Sequence, residues 1–210
     1  MAAQRMTSWT YAEHFVPGSE QVEGASARAQ EVGADPVAPA LGASLRLLAA
    51  ALTATHVIEI GSNAGVSGLW LLEGMSKDGV LTSIDPEPER QRAARSAFAA
   101  AGVAPQRTRV IGGEASAVLP RMTDGAYDMV FVSADHQGDE AYVEQALRLL
   151  RPGGALAVAN ILGNDRVADP AARDEATVAI RELGKNLRDD SRLHCALLPV
   201  GDGLLAAIRR

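Results

Sequence analysis

Between residues 56 and 158 the chain alternates short β-branched runs with stretches of helical composition, and few architectures satisfy that pattern. The runs lie at 56–60, 80–84, 108–111, 127–132 and 155–158. Helical stretches lie between them at 66–75, 87–101, 114–119 and 141–150. Parallel strands need long crossover connections, and helices are the usual crossover. The expected fold is therefore α/β: a doubly wound, mostly parallel sheet covered on both faces.

The flanks extend this frame. Residues 23–32 are rich in Ala, Gln and Glu, and 39–52 place Leu41, Leu45, Leu48 and Leu52 on one helix face. Arg151-Pro-Gly-Gly154 predicts a turn, and 169–187 a long helix. Runs 193–200 and 204–208 surround Gly201-Asp202-Gly203, a hairpin signal. The hairpin predicts two more edge strands, at least one antiparallel, for a seven-stranded sheet. Residues 1–22 show no clear periodicity and read as an arm, either disordered or capping a substrate side. Residues 23–210 read as a single domain.

Composition narrows the partners. A chain of 210 residues, 47% hydrophobic and 22% charged, suits one globular domain. The lone cysteine, Cys195, rules out an internal disulfide and a cysteine-built zinc site. The net charge is -6, with no long Lys/Arg run, which argues against a nucleic-acid groove. No apolar stretch reaches the ~20 residues that cross a bilayer. The N-terminus lacks a charged-then-apolar signal pattern. The expectation is a cytoplasmic protein that binds neither membrane nor nucleic acid.

In open α/β sheets ligands sit beyond the carboxyl ends of the strands, where strand order reverses. After the first run comes Glu59-Ile-Gly-Ser-Asn-Ala-Gly-Val-Ser67. Gly61 and Gly65 permit a tight turn and close approach to a ligand. The helix start that follows suits an anionic group, and Ser67 adds a hydroxyl. The dinucleotide fingerprint is absent, since positions 63 and 66 hold Asn and Val. After the second run comes Asp85, whose carboxylate can accept ribose hydroxyls or cap the following helix, with Pro86 fixing the backbone. The later strand ends offer Glu114 and Ala115, then Ser133, Asp135 and His136, then Asn160. His136 is a candidate base, because imidazole titrates near neutrality.

With these residues in place the chain resembles the caffeoyl-CoA and catechol type of S-adenosylmethionine-dependent O-methyltransferases, particularly the bacterial members. The matching stretches are 57–72, 79–89, 126–135, 147–160 and 201–210, and the likeness spans roughly residues 30–210. The resemblance implies a Rossmann-like class I methyltransferase fold and S-adenosyl-L-methionine as cofactor. It implies that Glu59 and Gly61 line the methionine part, with Ser67 near its carboxylate, and Ser62 is counted among the cofactor-binding residues. Asp85 would meet the ribose, with Pro86 next to it also counted as cofactor-binding, Glu114 and Ala115 would lie beside the adenine, and Asp135 would contact the cofactor. Val37 matches a backbone contact to the cofactor. The family usually forms homodimers.

The departures are as informative. The family's divalent-metal ligands are Asp, Asp and Asn, and the matching positions here are Ser133, Ala159 and Asn160. Two anionic donors are missing, so no metal is expected there. A rebuilt site would draw on Asp135, Asp139 or Asp165. The family's lysine base falls on His136. The expected activity is metal-independent O-methylation of a small-molecule acceptor. Ser133 and Asn160 would face that acceptor, with loops 1–22 and 161–170 as its walls. The alternative is a cofactor-binding protein without catalysis.

Overall fold

The computed structural model describes the backbone of residues 2–133 and 140–210, and the side chains of 7–133 and 141–210. Seven strands form one sheet: β1 His56–Ile60, β2 Val80–Asp85, β3 Thr108–Gly112, β4 Tyr127–Val132, β5 Leu150–Ala159, β6 Leu193–Leu198 and β7 Leu204–Arg209. Their order is β3-β2-β1-β4-β5-β7-β6. Adjacent pairs among β1 to β5 run parallel, and β7 is antiparallel to both β5 and β6. The hairpin is thus folded inward. β7 lies between β5 and β6, so of the two hairpin strands β6 alone is an edge, not both as the sequence suggested.

Among the described residues eight α-helices cover the sheet: α1 Ala2–Glu13, α2 Glu20–Glu31, α3 Pro39–Ala51, α4 Val66–Gly74, α5 Pro88–Ala100, α6 Ala115–Val118, α7 Glu140–Leu149 and α8 Glu175–Asp189. Alternate strand residues point to opposite faces. Val57, Leu81, Met129, Phe131 and Ala157 join one core with Leu41, Leu45, Trp70 and Phe98 of α3 to α5. Ile58, Ile60, Ile84, Val130, Val132 and Val158 join the other with Ala146, Leu183 and Leu187 of α7 and α8. No helix among the described residues is long and apolar enough to cross a membrane.

Two local expectations change. The segment 151–154 is not a separate turn but the opening of β5, paired to β4 through an irregular register between Tyr127 and Met129. Asp128 explains that anchorage. Its Oδ2 accepts from Thr55 N at 2.7 Å, Thr55 Oγ1 at 2.9 Å and His56 N at 2.9 Å, and its Oδ1 accepts from Arg151 Nε at 2.7 Å. The last helix starts at Glu175, not at 169, because Asp174 caps it by accepting from Thr177 N at 3.1 Å.

Most of the arm at 1–22 is helical. Its α1 is pinned by Glu13, whose two carboxylate oxygens accept from Ala40 N at 3.0 Å and Gly201 N at 3.1 Å. Ala38, the residue at the start of α3, makes no side-chain cap, and Glu13 supplies one from 27 residues away. The same carboxylate ties the arm to the β6–β7 turn.

Candidate functional site

Strand order reverses between β1 and β4, and the turn after β1 opens that switch point. Gly61 (φ 85°), Asn63 (φ 43°), Ala64 (φ 53°) and Gly65 (φ 94°) all lie in the left-handed region. A Cβ on Gly65 would meet Ala94 Cα and Ala97 Cβ at 3.0 Å. The turn is therefore pressed onto α5, which sets where α4 begins. Gly65→Ala is expected to cost roughly 1–3 kcal/mol, from strain and clash together. Chemical denaturation of the variant checks this.

Two fully buried carboxylates stand at adjacent strand ends. Glu59 accepts from Ser67 Oγ at 2.5 Å and from Ser83 Oγ at 2.6 Å. Ser83 sits directly beside it in the β1–β2 register. The Glu59 carboxyl is raised from 4.5 to about 7: burial pushes it up, the two serine bonds pull it down, and the charge of Asp85 adds to the rise. Asp85 Oδ2 accepts from Ser62 N at 2.8 Å and Ser62 Oγ at 2.7 Å, while Oδ1 accepts from Glu87 N at 2.9 Å. Asp85 thus stabilises both the first glycine turn and the approach to α5. It does not cap α5 itself, whose N-cap residue is Glu87. The Ser67 hydroxyl, read as a donor to a ligand, instead bonds Glu59.

The first turn reaches, through Asn63, a polar cavity of about 330 Å³ that neither acid lines. Its walls include Val37 and Asp35 from the α2–α3 link, Asn63 from the first turn, and Arg90 from α5. Ala159 and Asn160 at the end of β5, with Gly201 and Asp202 from the β6–β7 turn, complete it. A second polar cavity of about 370 Å³ adjoins it, sharing Asp35, Asn160 and Asp202 and adding Asn164 and Arg166. Asn160 takes a left-handed φ of 53°, and Asp202 fastens the loop beyond it by accepting from Asn164 N at 2.8 and 2.9 Å. Among the described residues no group of three His, Cys, Asp or Glu side chains is gathered to hold a metal.

A family model described as O-methyltransferase matches residues 20–210. The chain belongs to the O-methyltransferase family. A Mycobacterium tuberculosis relative named "Probable O-methyltransferase" is 49% identical over 201 residues, 96% of this chain and 90% of that one. The solved O-methyltransferase from Bacillus cereus in complex with SAH superposes with a TM-score of 0.85 at 25% identity, covering 97% of this chain and 99% of its own. TomG of Streptomyces achromogenes, an O-methyltransferase involved in tomaymycin synthesis and solved with SAM, gives 0.82 at 30% identity, covering 95% of this chain and 94% of its own.

Within this O-methyltransferase the structure brings together Glu59, Gly61, Ser62, Ser67 and Asp85 around the first turn. It sets Val37 and Asn160 on the polar cavity next to them. Ser133 is buried at the end of β4, its N–H donating to Ile60 O at 3.0 Å. Ala115 is buried, and Glu114 is exposed at the start of α6. Pro86 is half-buried beside Asp85. Asp135, His136 and Asp139 lie outside the described residues. Sequence reasoning missed Asp35, Asn63, Arg90 and Asp202 as cavity walls. Only the Asp-Gly turn hinted at one of them, and it was read as a turn alone.

Proposed function

We propose that this protein transfers a methyl group from S-adenosyl-L-methionine to an oxygen of a small-molecule acceptor held in the polar crevice at Asn160. One observation carries the reading: a glycine-lined turn and two buried acids stand at the reversal point of a sheet whose chain belongs to the O-methyltransferase family. When bound, the cofactor supplies an activated methyl on a cationic sulfur. The residues present fit it. Glu59 and Asp85 set negative charge where a sulfonium, an ammonium and ribose hydroxyls would lie, and the left-handed turn removes side-chain bulk from their approach. Asp85 would meet ribose hydroxyls by giving up its bond from the Ser62 hydroxyl.

The chain's own contribution is to place the acceptor oxygen in line with the methyl and to exclude water. A bound cofactor would supply the methyl group, and the acceptor oxygen would have to lose its proton. His136 is assigned as its base on sequence grounds. Transfer is read as metal-independent, because Ala159 offers no donor atom and Ser133 no charge at the places matching the family's ligands. The protein is read further as a cytoplasmic homodimer.

The assay is methyl transfer from labelled cofactor to a panel of phenols, with magnesium or with chelator. Turnover unaffected by chelator is expected, and turnover only with magnesium refutes the metal-free reading. Tight cofactor binding without turnover of any acceptor favours the second reading, a non-catalytic binding protein, which the loss of two carboxylates at 133 and 159 motivates. Asp85→Ala is expected to weaken cofactor binding by about 1.5–3 kcal/mol, the worth of hydrogen bonds to a charged acceptor. Unchanged affinity in the folded variant, measured by calorimetry, removes Asp85 from the ribose contact.

A further inference from the structure

Away from the crevice, α8 leaves a cavity of about 520 Å³ over β6 and β7. Its lining is aliphatic, with Ile161, Val167, Ile180 and Leu205 inside and Ala196 and Leu197 toward the edge strand. No aromatic side chain lines it. The space exists because α8 carries Gly184 where it crosses the sheet: a Cβ there would meet nothing nearer than Ile161 Cγ1 at 3.9 Å. The rim is cationic. Arg181, Lys185 and Arg188 follow one another at helical spacing along the mouth. Arg181 spends its guanidinium on the carbonyls of Val167, Asp169 and Ala172, so no carboxylate offsets its charge among the described residues. Arg188 pairs with Asp189. Lys185 makes no hydrogen bond or salt bridge among the described residues, although its charge helps to hold the Asp189 carboxyl below its ordinary value. The Cys195 thiol is already committed, donating to Leu187 O at 3.0 Å.

We propose that this cavity binds a single-chain carboxylate amphiphile, a free medium-chain fatty acid. The chain lies along the aliphatic floor and the carboxylate meets Lys185 and Arg181. Charge complementarity selects the head group in a protein that is otherwise acidic, and branched aliphatic walls of this volume suit an alkyl chain. The cavity shares no lining residue with the crevice at Asn160 and meets the adjoining polar cavity at Ile180, so decanoate and cofactor binding can be scored independently.

The probe is sodium decanoate, titrated below its micelle concentration into the full-length protein by calorimetry, with 1-decanol as the uncharged control. Saturable one-to-one binding of decanoate is expected. Gly184→Leu fills the cavity with a better helix former, and Gly184→Met does so with a more adaptable side chain. Each is expected to weaken decanoate at least about tenfold, the loss of one or two buried methylenes and more. Cofactor affinity should stay unchanged in both variants. Lys185→Gln is expected to weaken decanoate about threefold or more and to leave decanol unchanged. Absence of decanoate binding, or equal affinity in the Gly184 variants, overturns the proposal. So does a native dimer that refuses decanoate and that Gly184→Leu converts to monomer, since a second copy would then cover the cavity.

Discussion

Asp128→Ala is expected to destabilise the protein by about 2–4 kcal/mol, because two backbone N–H groups, a hydroxyl and a half-exposed guanidinium lose a charged acceptor. One carboxylate gathers the start of β1, the start of β5 and its own strand β4 through four hydrogen bonds. Without it the N–H groups of Thr55 and His56 lose their acceptor, and the Arg151 guanidinium loses its counter-charge. Asp128→Asn keeps the shape but not the charge and should cost less. The Asp128 carboxyl is held below its ordinary value: burial opposes this, but the bonds from Arg151, His56 and Thr55 outweigh it. A carboxyl depressed on folding contributes stability that is present above its unfolded pKa, about 3.9, and lost as pH falls through the folded value. The stability gap between native protein and Asp128→Asn should therefore be flat at neutral pH and shrink below about pH 4. Urea denaturation at pH 7 and pH 3 measures both. A gap that persists undiminished at pH 3 contradicts the assignment.

Glu59→Gln is expected to act in the opposite direction. Glu59 is wholly enclosed, and its carboxyl lies near 7 when folded against 4.5 when free. Between those values the folded protein holds a proton that the unfolded chain releases, so stability falls as pH rises through the window and levels off above it. At 1.36 kcal/mol per pH unit, the ionised carboxyl costs at most about 3 kcal/mol above pH 7. Gln removes that cost and can still bond Ser67 and Ser83, whose hydroxyls rotate to donate or accept. The variant should thus be more stable than the native protein at pH 8 and nearly equal at pH 5. Under the proposed function it should also bind cofactor less tightly, because an amide offers no counter-charge to a sulfonium or ammonium. Gains in stability with losses in function are common where a site holds a strained or charged group. Thermal unfolding across pH 5–8 is the check. A variant less stable at pH 8 would show that the two serine bonds outweigh the burial of the charge.

The strands were readable because each is a local event. The β-branched runs at 56–60 and 127–132 match β1 and β4 residue for residue, with Gly61 following the first and Ser133 the second. The first glycine turn and Asp85 were legible for the same reason: residue type and spacing alone mark a close turn with an acid on the neighbouring strand. The arm was not legible. Within α1 no apolar stripe repeats, and Trp9, Tyr11 and Phe15 are exposed. Val16 and Val22 pack on the core and Ser19 donates to Glu73, while α1 is pinned by the Glu13 carboxylate reaching residues 40 and 201. Periodicity carries no trace of such a bond.

By itself the sequence determined the fold class, the alternating elements and the turn at which a ligand would approach, because all three follow from short-range sterics and the pattern of burial. The tertiary structure decided the rest. It placed β7 inside β6, paired Ser62 with Asp85 and Ser67 with Glu59, and built the crevice from Asp35, Arg90, Asn160 and Asp202. Those partners come from segments up to 167 residues apart (35 to 202). Only the closure of the whole sheet brings them together, and no local preference of the chain encodes that distance.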